Sequence, residues 1–127
     1  MKETKAVSPG LKYDNGKPSM ELIDPYFLEQ MANVLDFGKR KYAAHNWRGG
    51  IQWSRTLGAV LRHTLSYLNG EDTDPETGYS HMAHAAVNCM FLVWFAQNRK
   101  EYDDRYRDSA GRNNSGPVSS AAGEKGS

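Results

Sequence analysis

The chain has 127 residues, room for one domain and one modest core. Sixteen Lys and Arg against fifteen Asp and Glu leave a formal net charge of +1. No global imbalance favours nucleic acid or an anionic membrane, so an anion-binding surface has to be local. The opening MKETKAVSPG lacks the apolar stretch of a secretory signal, and the longest apolar run, 89–96, is too short to span a bilayer. A cytoplasmic protein without membrane contact is expected.

Residues 1–10 are small and charged and read as a flexible N-terminal arm. At 11–19 the Asp14-Asn15-Gly16 triplet and Pro18 are turn chemistry. The first helix signal is Asp24-Pro25, an N-cap followed by proline at the first helical position. Phe27, Leu28, Met31, Val34 and Leu35 then recur at three and four, and Gly38 is a candidate stop.

GKRKYAAHNWRGGIQW at 38–53 mixes basic and aromatic residues around the Gly49-Gly50 turn and joins two helices. Ser54 is a candidate cap for the second helix. Leu57, Val60, Leu61, Thr64, Leu65 and Leu68 give that helix an apolar stripe, which ends near Asn69-Gly70. After the polar loop EDTDPETGYS, Ser80 can cap a third helix. It is apolar on most sides from Met82 to Phe95, so it is expected at the centre of the fold. The lone Cys89 on it is expected in the core, with no partner for a disulfide or a thiolate cluster. The segment 105–127 lacks the apolar residues that offset ordering entropy and reads as a disordered tail. The expectation is an all-α small helical bundle over 11–104, completed by homo-oligomerisation.

Residues 62–88 concentrate the chemistry: His63, His81, His84 and a run of acids. His81, His84 and Asn88 share one helical side, and His63 and Tyr67 share another, away from the leucine stripe. If a short connection makes the two helices antiparallel, Glu71, Asp72 and Asp74 fall at the same end as His81 and His84. Oxygen and imidazole ligands can then hold a divalent cation. The same residues also read as hydrogen-bonded core histidines, a capping His81 and a solvated acidic turn of Asp72, Asp74 and Glu76; no H-E-x-x-H pattern is present.

A second cluster is Lys39, Arg40, Lys41, Tyr42, His45, Asn46, Trp47 and Arg48, joined by Lys12 and Lys17. Its basic groups can hold phosphates and Tyr42 or Trp47 can stack on a base. The alternative is a basic surface loop anchored by a buried Trp47.

KYDNGKP at 12–18, LIDP at 22–25, GKRKYAAHNW at 38–47 and RHTLSYLNGEDTDPETGYSHMAHA at 62–85 together resemble the phage-associated dATP/dGTP diphosphohydrolases. These are related to the MazG-like all-α nucleotide pyrophosphohydrolases. The resemblance implies hydrolysis of a purine deoxynucleoside triphosphate between the α and β phosphates, with Mg²⁺ or Mn²⁺ assistance. In phages that replace adenine by 2-aminoadenine, a protein of this type supplies dGMP. The E-E-x-x-E and helical E-x-x-D of MazG-like proteins are missing; Glu71 and Asp74 do read E-x-x-D, but in a loop before a proline.

On this reading Glu71, Asp74 and His63 are the candidate catalytic residues, and Glu71, Asp74, His81 and His84 the candidate metal ligands. Their mixed donors suit Mn²⁺ or Co²⁺ better than Mg²⁺. Lys39, Lys41 and Arg62 are candidate phosphate contacts, Asn46 and Trp47 candidate base contacts, with Lys12, Lys17 and Tyr42 in support. Two rivals stand beside it: another metal-dependent nucleotide phosphohydrolase, and a helical nucleic-acid or partner-binding module using the basic aromatic loop.

Overall fold

A computed structural model describes residue 11 and residues 15–108. The expected arm at 1–10, Lys12 and residues 109–127 of the expected tail lie outside the described residues. Three helices carry the fold, α1 (Pro25–Lys41), α2 (Trp53–Leu68) and α3 (His81–Asn98), with short 3-10 turns at Met20–Leu22, Asn46–Gly49 and Lys100–Tyr102. Among the described residues the only β feature is an isolated antiparallel bridge between Thr73 and Ser80. The all-α expectation holds.

Helix α1 starts as its sequence dictates. The Asp24 carboxylate accepts the Phe27 N–H at 2.9 Å and Pro25 occupies the first helical position. Gly38 does not stop it: the helix runs on to Lys41, and the Tyr42 N–H closes the last turn on the Gly38 carbonyl at 2.8 Å. A helical glycine costs only about 1 kcal/mol, and Lys39, Arg40 and Lys41 complement the dipole at that end.

Ser54 is not the cap of α2. Gln52, the residue before the helix, holds the cap position, and Ser54 sits inside the first turn. At its other end α2 stops where the sequence says: Asn69 and Gly70 return their N–H groups to Leu65 and Tyr67 (2.9 and 3.0 Å), and Gly70 takes φ 99°. Ser80 caps α3 as expected, accepting the Met82 N–H at 3.0 Å.

Helix α3 is the centre of the fold, packing on both α1 and α2 and most extensively on α2. Val34 of α1 meets Ala83 and Val87 of α3, flanked by Met31, Leu35, Tyr79 and Phe91. Phe95 is fully buried, a contribution of about 1.5–3 kcal/mol. Trp47 closes this end, stacked on Phe91 with centroids 4.5 Å apart and edge-on to Trp94. Two sequence expectations change here. Cys89 is exposed rather than in the core, because the all-round apolar α3 has more surface than its two neighbours cover. The leucine stripe of α2 is not its packing face either: Trp53 and Thr56 are buried, while Leu61, Leu65 and Leu68 lie 61, 59 and 79% exposed.

Beyond α3 the chain folds back on α2. The Trp53 indole N–H donates to the Arg99 carbonyl at 3.2 Å, and the Arg105 guanidinium lies 4.9 Å from the Trp53 ring centre. Arg105, from the segment expected as a tail, thus packs on α2. No helix among the described residues is long and apolar enough to cross a membrane.

Candidate functional site

The site forms where the end of α2, the start of α3 and the loop between them meet. Glu71 follows directly on the Gly70 turn, with its N–H on the Ser66 carbonyl at 3.0 Å. The loop then closes on itself around Asp74. The Asp74 N–H donates to Tyr79 (2.8 Å), the Gly78 N–H donates to the Asp74 carbonyl (2.7 Å), and Asp74 Oδ1 accepts the N–H groups of Glu76 (2.7 Å) and Thr77 (3.3 Å). This aspartate turn occupies one carboxylate oxygen and leaves Oδ2 facing His63 at 4.0 Å.

His63 and His81 meet through Nδ1 atoms 2.8 Å apart. One donor atom each from His63, Asp74 and His81 lies within 4.8 Å of the others. His84, one turn into α3, stacks its ring on His63 at 4.6 Å and 9° from parallel, and its Nε2 shares a proton with Thr77 Oγ1 at 2.7 Å. His81 is the most enclosed of the three, its side chain 4% exposed; its Nε2 lies 2.7 Å from Glu71 Oε1. The described acids and histidines of the sequence-predicted centre, His63, Glu71, Asp74, His81 and His84, are thus brought together.

The electrostatics favour a donor set. Burial lowers the His63 pKa below its ordinary value, and the nearby His84 and His81 push the same way. Burial also lowers His84, against the Asp74 carboxylate. For Asp74, burial opposes ionisation, but the Glu76 and Thr77 N–H groups, followed by His84 and His63, outweigh it and hold the carboxyl below its usual value. Neutral imidazoles and an ionised carboxylate are the forms in which these groups bind a metal. Ligands sharing one ion at about 2.0–2.2 Å stand about 3 Å apart at right angles, so separations of 2.8 and 4.0 Å fit one ion after small shifts.

The basic cluster divides. The Lys41 ammonium reaches the rim of the acidic loop, donating to Glu76 Oε2 at 3.2 Å, and that partner raises its pKa. Lys39 instead pairs with Asp36 on its own helix at 3.2 Å. Arg62 is exposed, with its guanidinium over Gly58 one turn back. Lys17, Tyr42 and Asn46 are exposed. Trp47 is committed to packing: Phe91 stacks on it and the Arg48 guanidinium sits 4.5 Å from its centre. Sequence reasoning passed over Thr77, the hydroxyl that engages His84 and also accepts the Tyr79 N–H at 3.2 Å; its place in the E-T-G turn beside Asp74 was the available signal.

A family model described as dATP/dGTP diphosphohydrolase, N-terminal, matches residues 7–105. The chain belongs to this family. All four segments that carried the resemblance fall inside or on the matched range, so it is confirmed at family level. A protein of Salmonella phage PMBT28 named dATP/dGTP diphosphohydrolase is 47% identical over 96 residues, covering 76% of this chain and 33% of that protein. The chain thus spans about a third of this relative's length. No solved structure matches it. For the dATP/dGTP diphosphohydrolase N-terminal family, the histidine–carboxylate cluster is the most concentrated chemistry this chain displays among its described residues.

Proposed function

We propose that the chain is a metal-dependent pyrophosphohydrolase of purine deoxynucleoside triphosphates, converting dGTP or dATP to the monophosphate and pyrophosphate. The observation that carries this is the convergence of His63, His81 and Asp74 in a family whose phage relative is named for dATP and dGTP. The setting is host cytoplasm during infection, in modified-purine nucleotide metabolism.

His63, His81 and Asp74 would hold the ion, which when bound supplies charge neutralisation and a lowered pKa for a coordinated water. Two imidazoles and one carboxylate suit Mn²⁺ or Co²⁺ more than Mg²⁺, which favours oxygen donors. Water oxygen attacks the α phosphorus, the bond to the bridging αβ oxygen breaks, and pyrophosphate leaves with that oxygen. His84, stacked on His63 and outside the set that would hold the ion, takes the water's proton. Lys41, already at the loop rim, is placed to exchange Glu76 for a phosphate oxygen, with Lys39 and Arg62 as further cations.

The test is incubation with each dNTP and NTP in Mn²⁺, Mg²⁺ or chelator, with products separated by anion-exchange chromatography. Monophosphate and pyrophosphate from dGTP or dATP, lost with chelator, is the expected result. Release of orthophosphate, or no turnover of any nucleotide, overturns the proposal.

A further inference from the structure

We infer that Glu71 is a positioning residue rather than a metal ligand: its carboxylate fixes the His81 proton on Nε2 and so presents the His81 Nδ1 lone pair to the point faced by His63 and Asp74. The inference rests on the proposed function only in taking that point as the metal position.

The argument starts from donor and acceptor bookkeeping. An ionised carboxylate accepts hydrogen bonds and donates none. Glu71 Oε1 stands 2.7 Å from His81 Nε2, and the Glu71 side chain is 52% exposed. The proton in that contact therefore belongs to Nε2. In the form that binds a metal the ring carries a single proton, so with that proton on Nε2 the Nδ1 is left as a lone pair. His81 Nδ1 is the atom 2.8 Å from His63 Nδ1, on the side of the ring that faces the other donors.

The His81 ring is buried and its backbone is fixed as well, the N–H donating to the Asp72 carbonyl at 3.0 Å. Burial removes the water that would otherwise let the ring exchange tautomers freely, so the single carboxylate contact decides between them. Glu71 itself stands outside the set of mutually close donors, which comprises His63, Asp74 and His81. It touches the far nitrogen of a ligand, the geometry in which an outer carboxylate orients a histidine and raises its basicity. The E-x-x-D spelling of Glu71 and Asp74 thus covers two different tasks, one residue facing the ion and one residue behind a ligand.

The experiment is nitrogen-15 NMR of the histidine side chains on the full chain in chelator, combined with Mn²⁺ titration calorimetry, for wild type, Glu71→Gln and Glu71→Ala. Wild type should show His81 as the Nε2–H tautomer. Glu71→Gln, whose amide oxygen still accepts from Nε2–H, should keep that tautomer and lose less than about tenfold in Mn²⁺ affinity, whereas Glu71→Ala should show mixed tautomers and lose about 10–100-fold. An Nδ1–H tautomer for wild-type His81, or Glu71→Gln losing Mn²⁺ as completely as Asp74→Asn, overturns the inference. The tautomer readout needs no turnover, so a chain that hydrolyses no nucleotide would defeat the proposed function while leaving this assignment to be decided by the spectra.

Discussion

Asp104 grips Ser54 twice: Oδ1 accepts the Ser54 N–H at 2.8 Å and Oδ2 accepts its hydroxyl at 2.6 Å. A residue 50 positions away thereby satisfies a free N–H in the first turn of α2, a task usually done by the local cap, and Gln52 at that position makes no side-chain cap bond. Asp104→Asn should keep the fold and lower Tm by a few degrees. An unchanged Tm would show that the contact carries no stability.

The same tether has a pH signature. The Ser54 hydroxyl, then its N–H, hold the Asp104 pKa below the usual value, and the hydrogen bond from Arg105 does so more strongly for Asp103. A carboxyl whose folded pKa is depressed contributes stability that is fully present above its unfolded pKa, about 3.9, and is lost as pH falls through the folded value. Tm should therefore fall below about pH 4, with a shallower fall in Asp104→Asn. Wild type and variant curves running parallel down to pH 3 would exclude this linkage.

Asp74→Asn tests the centre. The loop hydrogen bonds to Oδ1 survive in the amide oxygen, so the fold should persist, but the charged oxygen facing His63 is gone. Turnover should fall more than about a hundredfold, beyond the cost of losing an outer partner, with Mn²⁺ binding lost in calorimetry. Retained binding would remove Asp74 from the donor set.

The site was more legible than the packing. Ser80, Asp24 and the Asn69-Gly70 stop act through neighbours in sequence, so local spacing located them. The gathering of Glu71 and Asp74 with His81 and His84 followed from assuming two antiparallel helices, yet nothing in the spacing says that His63 and His81 meet Nδ1 to Nδ1 or that Glu71 meets His81 Nε2. Those depend on ring rotation and on the Asp74 turn. The path of residues 100–108 back to Trp53 was hidden because the segment is polar and its anchors, Asp104 and Arg105, bind partners far away in sequence.

Trp47 and Asn46 separate packing from recognition in the basic aromatic loop. Trp47 is half-buried against Phe91, Trp94 and Phe95. Trp47→Ala should cost about 3 kcal/mol, the low end for an aromatic truncation because the ring is only partly enclosed. Asn46 is exposed on the same turn, so Asn46→Ala should leave Tm unchanged and, if this loop reads the base, raise KM. Equal Tm for Trp47→Ala and wild type in urea or thermal unfolding would return Trp47 to the role of a base platform.

The leucine stripe of α2 carries the last prediction. Leu61, Leu65 and Leu68 follow the four-then-three spacing of a helix seam, yet they are 61, 59 and 79% exposed, and Val93 on the neighbouring α3 is 74% exposed. Phe95 is the only large side chain fully buried among the described residues, so the core within one copy is small. The chain outside those residues brings few large apolar groups, Met1, Val7, Tyr13 and Val118. A seam on one helix is its own complement across a two-fold axis, and association of two copies would remove this apolar surface from water at about 25 cal/mol per Å². Light scattering at micromolar concentration should therefore report a homo-oligomer, and the double change Leu61→Lys with Leu65→Lys should convert it to a helical monomer by circular dichroism. A wild type that is already monomeric would rule out the seam as an interface between copies, since exposed leucines that bury nothing on association offer no driving force for it.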